Sequence, residues 1–83
     1  MLNIFPNPIL TSTTFNISLE NESNINIRVF NQLGMMVSEI VDEHFEIGEH
    51  NIPFNNPNLS TGIYIVKLLV NNEYVEGHKL IVN

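Results

Sequence analysis

The chain has 83 residues, a formal net charge of −6 and only three lysines and arginines. This length holds one domain with a thin core, and three scattered cations exclude a nucleic-acid interface and disfavour an anionic membrane surface. Hydrophobic residues make up 43% of the chain, which excludes a disordered protein, but its apolar runs are too short for direct membrane insertion. Cysteine is absent, so there is no disulfide or thiolate site.

The first half of the chain has the composition and patterning of strands. Alanine is absent, whereas Ile, Val, Thr, Phe and Asn are frequent. Alternation of apolar and polar residues predicts strands over residues 15–20 and 24–29, joined by a turn. Residues 31–34 predict a second turn, in which Gly34 is free to take a positive φ.

The second half continues the same pattern. Residues 35–41 predict a less regular strand, and residues 42–48 predict a polar connection. Residues 50–54 predict a short strand, which Pro53 should either place at a sheet edge or end early. A loop over residues 55–62 precedes the strongest strand, residues 63–70. Asn71 and Asn72 predict a two-residue hairpin turn into a final strand over residues 73–82. Gly77 within that strand suggests a bulge or a close backbone approach.

Six or seven short strands without helical periodicity predict an all-β fold, most simply an antiparallel β-sandwich. One core face would come from the strongest strand, through Tyr64, Val66, Leu68 and Val70. The opposite face is expected from five apolar residues: Phe15, Ile17, Leu19, Ile27 and Val29. We also expect the Tyr64 hydroxyl to form a hydrogen bond at the corner of the sandwich.

Candidate catalytic and metal-binding residues are sparse. His44 and His50 lie near three glutamates, which would make a weak metal site, but no histidine pair has the spacing that brings two imidazoles together. We interpret this region as an acidic, solvated loop. Asp42 is the only aspartate, which disfavours a calcium site, and no serine lies in a nucleophile-elbow pattern. The sequence therefore predicts no enzyme, no cofactor and no metal.

Four segments, in this order, resemble motifs of the type A C-terminal sorting domain of the type IX secretion system. Ile4-Phe5-Pro6-Asn7-Pro8 resembles the opening Y-P-N-P motif, and residues 31–37, with Gly34, resemble the N/D-x-x-G-x-x-V turn. Residues 59–68, with Gly62 and Tyr64, resemble the L-S-x-G-x-Y-x-V-K segment. Lys79-Leu80-Ile81-Val82 resembles the K-L/I-I/V-V end. The resemblance covers residues 2–83, with His78 in place of a second lysine.

The resemblance implies an immunoglobulin-like sandwich of about seven short strands and a function without catalysis. Residues 1–83 would be a single C-terminal sorting domain, excised from a longer secreted precursor, because no secretory signal peptide opens this sequence. A separate leader would bring the upstream cargo domain to the periplasm, and the type IX secretion machinery would carry it across the outer membrane. A sortase-like surface protease would then remove the domain and attach some cargo proteins to the cell surface. The expected location is secreted or at the cell surface.

Recognition by strand addition at an exposed sheet edge is compatible with such a domain. The expected recognition segment is the end of the final strand: Lys79, Leu80, Ile81 and Val82. The turn at Gly62 and Tyr64 and the motif Pro6-Asn7-Pro8 would position it. Leu80 and Val82 are expected to pack in the core, which leaves Lys79 and Ile81 as the contact residues.

Two other functions stay open at this level. An adhesive or carbohydrate-binding β-sandwich appended to a secreted enzyme would present a row of exposed aromatic side chains, for which Phe30 and Tyr74 are the residues to inspect. A passive structural spacer would be followed by further domains.

Overall fold

A computed structural model describes residues 1–55 and 58–83, and all regular structure in them is β-strand. The seven strands are β1 (Leu2–Phe5), β2 (Ser12–Leu19), β3 (Ser23–Phe30), β4 (Met36–Phe45), β5 (Gly48–Asn55), β6 (Gly62–Val70) and β7 (Glu73–Val82). They form a three-stranded sheet in the order β1-β2-β5 and a four-stranded sheet in the order β4-β3-β6-β7. All strand pairs are antiparallel. The predicted all-β sandwich of about seven strands is confirmed.

The core lies between the inner faces of the two sheets. Tyr64, Val66 and Leu68 of β6 are buried as predicted, and Val70 is half-buried. The expected opposite face was partly wrong, because Ile27 and Val29 lie beside β6 in the same sheet. Strand alternation shows which side chains face inward, but it does not show which strands pair. The true opposite face is supplied by β1 and β2, through Leu2, Phe15, Ile17 and Leu19.

Strand β1 was not predicted from the sequence. It has four residues and pairs with β2 so that Leu2 lies opposite Ile17 and Phe5 opposite Thr14. Leu2 is its only fully buried side chain, and four residues give too short a pattern to recognise. Beyond β1, the buried Ile9 forms an isolated parallel bridge with Val82.

Strand β4 corrects the predicted polar connection. Residues 42–45 belong to β4, so the true connection to β5 is only residues 46–47. Two register shifts against β3, at Ile27/Arg28 and Val29/Phe30, interrupt the alternation of apolar residues. In addition, β4 is an edge strand, where charged side chains are common. Strand β5 is longer than predicted and lies at a sheet edge, as Pro53 indicated. Two residues of the predicted loop after it, Asn56 and Pro57, lie outside the described residues.

The β6–β7 hairpin has the predicted turn. Asn71 and Asn72 have φ values of 51° and 68°, the left-handed geometry of a type I′ turn. The bulge, however, lies two residues before the predicted position, because Leu68 pairs with Glu76 while Leu69 pairs with Tyr74. Gly77 is paired regularly, but the Tyr74 hydroxyl stands 2.6 Å from where a Cβ would project. A side chain, not a backbone, therefore makes the close approach at Gly77.

Candidate recognition surface

The four motif segments converge at one end of the four-stranded sheet. Gly62 at the start of β6 pairs with Val82 at the end of β7, and Val82 in turn bridges to Ile9. On the other side of β6, the turn over residues 31–35 joins β3 to β4 and shares a shallow depression with residues 61–64. Segments that are far apart in the sequence thus form one continuous row, which we call the motif end.

The Asn7 side chain joins the first motif to the last. Its Nδ2 donates a hydrogen bond to the Lys79 carbonyl at 2.8 Å, and its Oδ1 accepts one from the Ile81 N–H at 3.0 Å. The backbone of Ile9 extends the pairing, because its N–H donates to the Ile81 carbonyl at 2.8 Å and its carbonyl accepts from the Asn83 N–H at 2.9 Å. We call residues 79–83 the terminal segment. Its outer edge is paired within the chain, so a partner strand would have to displace Asn7 and Ile9 to add there.

A second contact holds the opening motif against β2. The hydroxyl of Thr13, which is buried, donates a hydrogen bond to the Pro6 carbonyl at 2.8 Å. The Phe5–Pro6 and Asn7–Pro8 peptide bonds are both cis. Pro6 and Pro8 are exposed and flank Asn7, whose side chain lies on β7. The motif thus connects the three-stranded sheet to the last strand of the other sheet.

Side chains of the terminal segment alternate between the core and the outside. Leu80 and Val82 are buried, which confirms the expected core packing of these two residues. Lys79 is exposed and Ile81 is half-buried, and both project from the outer face of the four-stranded sheet. A partner that meets this segment from outside would contact Lys79 and Ile81.

The two turns of the motif end are fixed by side-chain hydrogen bonds. The Tyr64 hydroxyl donates to the Ser60 carbonyl at 2.7 Å, which is the hydrogen bond that the sequence predicted. In the other turn, Asn31 Oδ1 accepts hydrogen bonds from the N–H groups of Leu33 and Met35, at 2.9 and 3.0 Å. Gly34 follows with a φ of 83°, a left-handed conformation that favours glycine.

A charged contact on another side of the molecule joins β1 to β7. Glu76 Oε1 lies 2.8 Å from His78 Nε2 and accepts a hydrogen bond from the Leu2 N–H at 3.3 Å, while Oε2 lies 3.4 Å from the Met1 amino group. Partial burial acts to raise the pKa of Glu76, but the hydrogen bonds from His78 and Leu2 and the Met1 charge outweigh it. The pKa of Glu76 is therefore lowered.

The histidines near the glutamates do not assemble a metal site. His44 lies on β4 opposite Asn24, whereas His50 lies on β5, where its Nε2 is 2.7 Å from the Glu46 carbonyl and its ring packs on Phe45. Within residues 1–55 and 58–83, no group of three or more His, Asp or Glu side chains could hold a metal ion. The same residues include no helix long and apolar enough to cross a bilayer.

The aromatic side chains are distributed between the core and separate surface positions. Phe15 and Phe54 pack together inside, with ring centroids 5.9 Å apart. Phe30 is half-buried beneath the Lys67 ammonium, and Tyr74 is 62% exposed. Phe30 lies opposite Ile65 and Tyr74 opposite Leu69, which places them about 13 Å apart along β6. These two rings do not form the continuous row that sugar stacking would need.

Comparisons with known proteins agree on the family. The family model for the secretion system C-terminal sorting domain matches residues 3–83. Ulvan lyase NLR42 of Nonlabens ulvanivorans is 38% identical over 81 residues, which are 96% of this chain but only 14% of that protein. Among solved structures, a chain of the Pseudomonas fluorescens alkylpurine DNA glycosylase AlkC, bound to DNA containing an abasic site analog, is similar over 99% of this chain and 29% of its own, with a TM-score of 0.50. At 14% identity, that likeness concerns the fold alone.

Members of the matched family are sorting signals for type IX secretion, and the family implies export to the cell surface or the medium, together with an upstream cargo domain. The motifs, the sandwich and the match over nearly the whole chain agree with one another. This chain belongs to the family of secretion system C-terminal sorting domains.

Proposed function

We propose that residues 1–83 form one folded, non-catalytic address at the C-terminal end of a longer precursor. The observation that carries this proposal is the motif end, where Asn7 connects the opening motif to the terminal segment through two hydrogen bonds. Because distant motifs meet only in the folded chain, the address is read as a surface and not as a linear peptide. The family match over residues 3–83 supports the same extent for the domain.

Within this surface, Lys79 and Ile81 make contact with the secretion machinery. Leu80 and Val82 anchor the segment in the core, while Gly34, Gly62 and Tyr64 shape the neighbouring turns. The Pro6-Asn7-Pro8 motif holds the outer edge of β7. Each of these motif residues therefore has either a contact role or a positioning role in one surface.

After export, a sortase-like surface protease cuts upstream of the domain and, for some precursors, joins the cargo to the cell surface. The first strand begins at Leu2, so a cut before it leaves all seven strands intact. In this proposal the protease supplies the reacting groups for this step. Glu76, whose Oε1 lies 2.8 Å from His78 Nε2, serves to join β1 to β7 through the Leu2 N–H.

The direct test is a reporter protein that carries a periplasmic leader at its N-terminus and residues 1–83 at its C-terminus, expressed in a bacterium with type IX secretion. We expect the reporter outside the cell. Deletion of residues 79–83 should retain it in the periplasm, because the terminal segment is lost. Since this deletion also removes Leu80 and Val82 from the core, a Lys79→Glu variant that keeps the wild-type circular dichroism spectrum serves as the second variant. Undiminished delivery of both variants would contradict the proposed segment.

A further inference from the structure

All three fixed cations of the chain project from one face of the molecule. Arg28 on β3 lies directly opposite Lys67 on β6, and Lys79 on β7 lies opposite Ile65, two residues from Lys67. Their strand neighbours Val29, Val66 and Leu80 are buried, so the cations point to the outer face of the four-stranded sheet. Glu39 and Asp42 lie on the β4 side of the same outer face, opposite Arg28 and Asn26, so the unbalanced positive charge of this face lies on β6 and β7, at Lys67 and Lys79.

This arrangement is not one that folding favours. Like charges directly opposite each other, as Arg28 and Lys67 are, destabilise a sheet. Arg28 has Glu39 at 3.8 Å, but neither Lys67 nor Lys79 forms an ion pair with a carboxylate in the described part of the chain. The two lysines therefore have charge available for a partner outside the chain.

Apolar side chains lie beside these charges. Ile63 and Ile65 are each 39% exposed, and they precede Lys67 on the outer face of β6. Phe30, Ile63, Ile65 and Lys67, with the turn at residues 31–34, line a depression of about 480 Å³. The Lys67 ammonium lies 4.6 Å from the Phe30 ring centroid, above one side of this depression. A contiguous exposed apolar patch with polar residues at its rim is typical of an interaction site.

We propose that this face binds an acidic protein segment of the export machinery. We call it the cationic face and define it as Phe30, Ile63, Ile65, Lys67, Lys79 and Ile81. Carboxylates of the partner meet Lys67 and Lys79, while an apolar side chain of the same segment enters the depression beside Phe30. This inference rests on the proposed function and adds the chemistry of the partner.

A protein partner fits this face better than an anionic lipid surface. Such surfaces attract clusters of about four to eight lysines and arginines, whereas two unpaired lysines are available here. The isoleucines beside them need an apolar counterpart, which a strand or loop with alternating side chains provides. Charge complementarity then sets the orientation of the partner.

The export test compares two double variants of the reporter fusion that have equal net charge. The variant Lys67→Gln/Lys79→Gln removes both cations but keeps part of the aliphatic stem of residue 67 over Phe30. The control variant Asn3→Asp/Asn21→Asp lowers the net charge by the same amount, at exposed positions away from this face. We expect about a tenfold loss of exported reporter for the glutamine pair, near-wild-type export for the aspartate pair, and recovery in Lys67→Arg/Lys79→Arg. Equal export of both double variants would overturn the cationic face. Failure of the unmutated fusion to leave the cell would instead overturn the proposed function.

The partner class is tested by a photocrosslinking residue at position 65 of the exported fusion, with position 3 on the other sheet as the matched control. We expect position 65 to crosslink to one protein of the export machinery, at a segment rich in Asp and Glu. Crosslinks to lipopolysaccharide alone, or equal yields at positions 65 and 3, would overturn the proposal.

Discussion

At the scale of single residues, Asn7 shows how one side chain connects the ends of the chain. Its amide offers both a donor and an acceptor, which bond the Lys79 carbonyl and the Ile81 N–H of β7. Pro6 and Pro8 on either side restrict the backbone that carries it. The sequence identified these residues as a motif through resemblance, but no local pattern could show that their partner lies more than seventy positions away.

The Asn7 contact predicts a local effect on hydrogen exchange. Asn7→Ala removes the acceptor of the Ile81 N–H, so exchange of this amide should become about tenfold faster. Asn7→Asp keeps that acceptor and should slow the exchange relative to Asn7→Ala. Asn3→Ala, which truncates an exposed asparagine of β1, serves as the control and should leave Ile81 unchanged. Equal Ile81 exchange in the wild type and Asn7→Ala, measured by NMR, would show that Asn7 does not protect this edge.

Other single residues divide into those whose hydrogen bonds the sequence predicts and those whose hydrogen bonds it does not. The Tyr64 hydroxyl bond was predictable, because a tyrosine at the entry of a buried strand satisfies its hydroxyl nearby. Asn31 accepts two backbone hydrogen bonds in its turn. Asparagine side chains commonly do so in turns, but the sequence pattern did not single out this residue. Local hydrogen bonds are therefore within reach of sequence reasoning, and long-range ones such as those of Asn7 are not.

At the scale of strands, the alternation of apolar and polar residues predicted the strands that have one buried face. It failed for strands in which this alternation is interrupted or short. Strands β2, β3, β6 and β7 were placed nearly correctly from this signal. Strand β4 was predicted too short, since two register shifts and an exposed edge obscure its pattern. Strand β1 was missed because it has only four residues. The local sequence does not show which distant strands pair. This is why Ile27 and Val29 were assigned to the wrong sheet.

The contact between β1 and β7 predicts a pH-dependent contribution to stability. The pKa of Glu76 is lower in the folded chain than its ordinary value of 4.5, so the ionised form is favoured by folding. This contribution is present above pH 4.5 and is lost as the pH falls through the folded pKa. Glu76→Gln should lower the melting temperature by about 4 °C at neutral pH, and this difference should shrink in acid.

The measurement is thermal unfolding by circular dichroism at about pH 7 and about pH 3. Glu73→Gln, which removes an exposed carboxylate of the same strand, is the matched control and should change the melting temperature by only about 1–2 °C. A difference between wild type and Glu76→Gln that is as large in acid as at neutral pH would contradict the role assigned to Glu76.

At the scale of the whole molecule, the two sheets have different relations to the motifs. The four-stranded sheet carries three of the four motif segments and every fixed cation, whereas the three-stranded sheet contributes core residues and the start of the opening motif. A depression of about 710 Å³ lies at the opposite end, and its lining includes Glu20, Glu22 and Glu49. The molecule is therefore polarised, with its motifs and cations on one sheet and this acidic depression at the other end.

The sequence predicted the sandwich and the family, because composition, apolar–polar alternation and the order of the motifs are all properties of the linear sequence. It did not predict that the terminal edge is already paired, nor that Arg28, Lys67 and Lys79 share one face, since both depend on strand order. Strand addition at residues 79–83 is consequently a poorer fit than contact with the outer face of the sheet.

The most direct measurement is the distribution of the reporter fusion between periplasm and exterior in two strains that differ only in the type IX translocation machinery. If the folded 83-residue chain is the address, the reporter is exported in the complete strain and accumulates in the periplasm of the deficient one. A reporter that stays in the periplasm of both strains, or leaves both equally well, would contradict this account.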